Sequence, residues 1–395
     1  MTTLSDPIHV EHEDQEFPMR RCTFTVGMKK LETPARAFGL APNDECESFN
    51  IRSVDARGLN EIYKRVSQES FVKLENSVRY QEAFNRSIQD SLRRIPREVE
   101  FVLQVIEYDS KKQIPNIHQT EFLYALVDDF PQNNTLIPPI LRDIEPLAYL
   151  QFLESFFKIV ETHKKKTIFG LIPYGSWRDI RDVVDFYIKK GVYFFVMDLK
   201  GRHPFLIRQS IALVLDRIRT IGKEYGYNGY LHGLNVGLGR KSKTKEIIPA
   251  KDILAFYYGF DSFGSSHISP KLKPNMYPAL KDKSKPIRLF NRTDYGYYDI
   301  SHVSGVDFSV EDEATLNINH VRVATGYERK RVFQRIFNAE RHGFEARTIR
   351  QKLLENATGK HLESKAQARQ EIESIKKFAI DQRSGKGVQH LEKWL

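Results

Sequence analysis

Apolar runs alternating with amphipathic stretches give the chain its clearest organisation from Pro146 onward. PLAYLQFLESFFKIVETHKKK has helical spacing, proline in its first turn and lysines at its end. TIFGLI (Thr167 to Ile172) then predicts a strand, Ser176 an N-cap, SWRDIRDVVDFYIKK a helix and Gly191 its stop. The continuous apolar run from Val192 to Asp198 predicts a second buried strand ending in a carboxylate, which passes through LKGRHP into a long helix around LIRQSIALVLDRIRTIGKEYG. NGYLHGLNVG predicts a third strand, followed by the basic loop RKSKTKEI, a shorter helix in PAKDILAFYYG, and GFDSFGSSH as a fourth strand and its exit.

The flanks are less regular. Residues 1–20 read as a polar lead-in, and Cys22 to Leu40 as a strand or hairpin with turns at Gly27 and Pro34. LNEIYKRV and SFVKL, between Asn60 and Arg97, carry helical spacing, whereas EVEFVLQVIEY and EFLYALV look like strands. After Ser269 comes a proline- and lysine-rich stretch, then IRLFNRTDYGYYDI as a loop or hairpin, a basic helix from Tyr327, and a polar helix in the last thirty residues.

Repeated strand, loop and helix units imply parallel strands with right-handed crossovers, hence a barrel or a doubly wound sheet. The 395 residues fit a barrel with an appended piece. The expected fold is therefore an α/β (β/α)8 TIM-type barrel over residues 21–300, after the lead-in 1–20 and before a basic helical element at 301–395. In either fold ligands bind at the carboxyl ends of the strands, so the loops at 173–179, 198–204, 234–246 and 261–270 should share one face.

Composition adds three constraints. A content of 41% hydrophobic and 12% aromatic residues supports a folded, enzyme-sized body. The excess of 61 Lys and Arg over 51 Asp and Glu, a net charge of +10, favours a polyanionic partner. Cys22 and Cys46 form neither a disulfide framework nor a metal clamp, and no apolar stretch is long enough for a membrane span, so the expectation is a cytoplasmic protein with no membrane partner.

Taken in order, several motifs resemble the tRNA-guanine transglycosylase superfamily. Gly27-Met-Lys-Lys-Leu-Glu-Thr-Pro34 is similar to its early GxLxTP strand, and Phe169-Gly-Leu-Ile-Pro-Tyr-Gly175 before Trp177-Arg-Asp-Ile-Arg181 to its FGIVQGG and DLR segments. Phe194 to Gly201 matches YAIGGLSVGE in position, Tyr230 to Gly237 looks like YLMGVG, Pro249 to Leu254 like PEDLL, and Gly259-Phe-Asp-Ser-Phe-Gly-Ser265 is similar to the GxDMFDC segment that carries the family's nucleophile. There are departures: the expected aspartate is Gly264, the DSGG motif has no counterpart, Pro173 replaces the glutamine of the base pocket, and the CxCxxC and His zinc site is absent.

The resemblance implies exchange of a guanine in DNA or tRNA for a free 7-deazaguanine-type base, with no cofactor. Breaking an N-glycosidic bond develops positive charge on the sugar, which a carboxylate stabilises or traps covalently. Asp261 and Asp198, both at predicted strand ends, are the catalytic candidates, one as nucleophile and the other reading the base or acting as general acid/base. Tyr174, Gly175, His232 and His267 are candidates for the base pocket. For each, the alternative is an ordinary structural role: a helix cap, an ion pair, a rim aromatic or a hydrogen-bonded histidine.

Arg240, Lys241, Lys243 and Lys245 form a basic loop that does not match GxxxxGK[ST], which argues against a nucleoside triphosphatase. With Lys271, Lys273, Arg329, Lys330 and Arg331 they are candidates for phosphate contacts, the alternative being a solvated charge run. Asp299, His302 and Asp307 come without cysteine, so no structural zinc is expected. The rival reading is a catalytically silent barrel that binds nucleic acid or pairs with a partner subunit, an active paralogue or a second copy.

Overall fold

A strand that is apolar on both faces needs cover on both, and a parallel sheet with crossover helices supplies it. The computed structural model of the protein has this arrangement. It describes residues 7–27, 29–40, 55, 58–92, 101–129, 135–163, 166–238, 246–268, 286–301, 306, 308 and 313–384. Strands β1 (Ile8–Glu13), β2 (Arg20–Val26) and β3 (Lys29–Thr33) form an antiparallel sheet. A nine-stranded parallel sheet follows: β4 (Ala35–Leu40), β5 (Leu59–Ser67), β6 (Phe101–Asp109), β7 (Thr135–Leu136), β8 (Ile140–Leu141), β9 (Thr167–Ile172), β10 (Phe194–Asp198), β11 (Tyr230–Val236) and, after β12 (Ile247–Pro249), β13 (Ser262–Ser265). Its order is β7-β9-β10-β11-β13-β4-β5-β6-β8. The fold is thus mixed α/β with a curled parallel sheet, compatible with a TIM-like architecture.

The helices are α1 (Gln68–Asn76), α2 (Val78–Leu92), α3 (Ile117–Asp128), α4 (Pro146–His163), α5 (Trp177–Lys189), α6 (Arg208–Tyr225), α7 (Ile318–Val323), α8 (Tyr327–Leu354), α9 (Thr358–Glu363) and α10 (Arg369–Arg383). The expected β9–α5 unit is present, with Ser176 capping α5 through a box with Asp179. The stretch read as a loop or hairpin is a hairpin, β14 (Arg288–Asn291) and β15 (Gly296–Asp299), joined to β12 in a small antiparallel sheet. Helix α8 is no loose appendage: Ala346, Ile349 and Leu353 enter the main core.

Four local expectations are corrected. LNEIYKRV is strand β5, in which Asn60, Glu61 and Lys64 are all buried, so its polar residues lie on both faces of a covered strand rather than along one exposed helix face. EFLYALV lies in helix α3, which a capping box of Asn116 and Gln119 starts upstream. Residues 8–13, inside the supposed lead-in, form β1, with Ile8 fully buried. The short helix in PAKDILAFYYG is a 3-10 segment, Ile253–Tyr258.

The antiparallel sheet seals the amino ends of the parallel strands. Phe24 of β2 packs on Phe101 (4.6 Å between ring centroids), Tyr230 (4.5 Å) and Phe194 (5.7 Å), the first residues of β6, β11 and β10. The carboxyl ends are left for polar groups.

Candidate functional site

Alternation along β5 aims one set of side chains inward. Glu61, Tyr63 and Arg65, two residues apart, share a face, while Lys64 turns outward to donate to Ser87 of α2. Glu61 is fully buried, and its two oxygens accept from two histidines, Oε1 from His232 Nε2 and Oε2 from His267 Nε2, each at 2.7 Å. Because a carboxylate is acceptor-only, both imidazoles carry their proton on Nε2. His232 Nδ1 is hydrogen-bonded to Ser262 Oγ at 2.6 Å, and Ser262 Oγ in turn to the Tyr230 hydroxyl. Burial pushes the Glu61 carboxyl up, but the two histidine donors outweigh it and hold it at about 2.

Glu61 stands where position 264 would carry a side chain. A Cβ on Gly264 would overlap Oε1, Cδ and Oε2 of Glu61. Glu61 thus reaches from β5, two strands away in the sheet, into the space beside position 264 of β13.

The remaining groups connect to this pair. The backbone N–H of His267 donates to Asn235 Oδ1, and Asn235 Nδ2 donates to Asp198 Oδ1, both at 2.9 Å. The Lys200 N–H caps the same Asp198 oxygen at 2.9 Å. Asp198 sits at the carboxyl end of β10, 6% exposed, and burial raises its pKa above the usual carboxylate value against the opposing pull of Asn235 and Lys200. Tyr63 donates to Glu107 at 2.8 Å, as does Arg65, whose other nitrogen donates to the His267 carbonyl. Asn235 (φ 56°) and Lys200 (φ 49°) both adopt the left-handed region, where a non-glycine residue needs its surroundings to hold it. The cross-links Gly201 N–H to Asn235 O and Gly237 N–H to Arg202 O do so, and the two loops meet so closely that a Cβ on Gly237 would overlap the Gly201 carbonyl.

The structure thus unites Asp198, His232 and His267 in one hydrogen-bonded network through Glu61 and Asn235. It sends Asp261 elsewhere. Asp261 precedes β13, and its backbone N–H donates to Leu231 O, near the start of β11, whereas Asp198 pairs with Leu234 near that strand's end. Both Asp261 oxygens are occupied, by the Arg20 guanidinium at 2.8 and 2.7 Å and by the Leu231 N–H at 2.8 Å. The expectation that both aspartates converge at the carboxyl ends is therefore corrected: Asp261 anchors the amino-end sheet.

Tyr174 follows β9, and Arg202 covers its ring at 4.0 Å from the centroid. Gly175 lies against α4 and α5, where a Cβ would meet Pro146 and Ile180, and its carbonyl accepts from Ser210. Arg329 and Arg331 are exposed in the first turns of α8 and Lys330 is half-buried; Arg329 lies over Phe333 and Arg331 over Tyr327. Arg240, Lys241, Lys243, Lys245, Lys271 and Lys273, like His302 and Asp307, lie outside the described residues. Among the described residues no three His, Cys, Asp or Glu side chains gather in a way that could hold a metal ion. Nor is any described helix long and apolar enough to cross a membrane.

Glu61, Tyr63, Glu107 and Asn235 were not singled out in the sequence. The signal for the first two was the alternation of Glu61, Tyr63 and Arg65, which the helical reading of LNEIYKRV concealed. A separate cavity of about 570 Å3, lined by Tyr124, Asp128, Lys158 and His163 among others, lies on helices α3 and α4 and includes none of the network. Compared with models of known protein families and with curated proteins, the chain matches none.

Proposed function

We propose that the chain is a base-exchanging glycosyltransferase acting on a guanine in nucleic acid, with Glu61 as the carboxylate facing the anomeric carbon and Asp198 as general acid/base. The observation that carries this reading is the overlap of the Glu61 carboxylate with the side-chain position of Gly264, which supplies from β5 the group that the resemblance calls for on β13. The reading takes the fold to be a complete (β/α)8 barrel, which is supported by the pairing of β7 with β9 and of β8 with β6 at the two ends of the segment 135–141 and by the bond from Thr135 Oγ1 to Val102 O of β6 at 2.8 Å.

In this reading a Glu61 oxygen bonds to C1′ as the bond from C1′ to the guanine nitrogen breaks; the electron pair leaves on that nitrogen, which takes a proton from Asp198. The incoming 7-deazaguanine-type base then gives its proton to Asp198, bonds to C1′ and releases Glu61. Atoms and charge balance without redox chemistry. Burial raises the pKa of Asp198 above the usual carboxylate value, the direction that favours a proton-donating role. Basic residues at the start of α8 would contact backbone phosphates.

The complete burial of Glu61, with donors on both oxygens, favours a second reading, a silent barrel that binds nucleic acid without reaction. Incubation with labelled guanine and either tRNA or duplex DNA separates the two. Incorporation that is lost in Glu61→Gln and Asp198→Asn supports the enzyme; salt-sensitive binding with no incorporation supports the silent module.

A further inference from the structure

We infer that the face of Tyr63 beside Glu61 is a subsite for the furanose ring of a nucleoside unit, held shut in the free protein by the imidazole of His267. The inference rests on the proposal that this site receives a nucleic-acid nucleoside.

The His267 ring lies flat on Tyr63, with centroids 4.7 Å apart and planes within 7°. One ring atom, Nε2, is 2.7 Å from Glu61 Oε2, and Cε1 faces Gly39, where a Cβ would approach it to 3.2 Å. A five-membered ring therefore already occupies a slot floored by an aromatic face, with a glycine and a carboxylate against adjacent atoms of its rim. A furanose has the same ring size, and seated there it would bring one ring carbon to the carboxylate at near-attack range, about 3–3.5 Å.

The ring is also the part of this segment best able to leave. Its backbone is pinned, N–H to Asn235 and carbonyl to Arg65, so the ring departs by side-chain rotation alone. With 18% of its side chain exposed it is the outer member of the pair, and Glu61 beneath it has no exposure. Rotation would uncover Oε2 while His232 keeps hold of Oε1. The burial that argues against catalysis is then a closed state, which binding of the sugar opens. His267 is a gate and positioning residue, and its removal lifts the competition between imidazole and ligand for the slot.

The test follows the His267 ring protons by NMR in the full-length chain during titration with guanosine and 2′-deoxyguanosine, with free guanine as the control. Expected is loss of the Tyr63 ring-current shift on saturation with either nucleoside and no change with guanine. His267→Ala, checked for folding by circular dichroism, should bind guanosine at least about tenfold more tightly, since the shut state no longer competes. Unmoved His267 signals at saturation, equal response to free guanine, absence of nucleoside binding, or unchanged or weaker binding by folded His267→Ala would each overturn the subsite. If His267→Ala does not fold, the titration of the unaltered chain decides. Opening without base exchange would retain the subsite and reject the transferase; exchange with His267 still on Tyr63 would do the reverse.

Discussion

Glu61 and Asp261 are both buried carboxylates with every oxygen engaged, yet their partners assign them opposite tasks. Asp261 binds a guanidinium bidentately, the geometry of a fixed clamp. Glu61 binds two imidazoles, one of them partly exposed. Asp261→Ala, which leaves the partly buried Arg20 guanidinium without its ion-pair partner, should cost up to about 3–5 kcal/mol in urea unfolding. Whatever fraction remains folded should keep its affinity for nucleic acid, because Arg20 and Asp261 lie at the sealed amino ends. Gly264→Ala drives a methyl into the Glu61 carboxylate. It should destabilise by about 1–3 kcal/mol and abolish guanine incorporation, measured on the same preparation.

Elements differed in how far the sequence revealed them. Strand β9 and helix α5 were legible because an apolar run, a serine cap and a terminal glycine agree. Strand β5 was not, since its inward residues Glu61, Tyr63 and Arg65 are polar or amphipathic and its pattern carries no apolar alternation. That misreading hid Glu61, and with it the reason position 264 has no side chain. Asp261 was legible as a carboxylate next to a strand, but which end of the strand it occupies depends on register with β11, and GFDSFGS does not encode that. At this scale two outcomes are expected. Phe24→Ala, which empties the aromatic seal over β6, β10 and β11, should cost about 3–5 kcal/mol. Replacing Arg329, Lys330 and Arg331 of α8 with alanine should flatten the salt dependence of nucleic-acid binding by roughly one unit of slope for each phosphate that is no longer neutralised.

For the whole molecule, acid stability reads out the buried carboxylates together. Glu61 and Glu345 are each held at about 2 against the upward push of burial, Glu61 by His232 and His267, Glu345 by His361, Lys365 and Arg292. Unfolded glutamate titrates near 4.3, so each group binds fewer protons in the fold than out of it. The stability it contributes is complete above that pH and is lost as pH falls toward 2, roughly 3 kcal/mol per group. Urea midpoints taken from pH 7 to pH 2.5 should fall steeply below about pH 4.5, and less steeply in Glu61→Gln. Midpoints that do not change with pH would remove both networks as sources of stability.

The claim on which the account turns is that the carboxylate missing at Gly264 acts from position 61. Mass spectrometry of the protein after incubation with guanine-containing DNA or tRNA, without an incoming base, addresses it directly. The account predicts a nucleic-acid adduct on the peptide that carries Glu61, absent in Glu61→Gln. An adduct on Asp198 or Asp261, or base exchange that survives in Glu61→Gln, would contradict it.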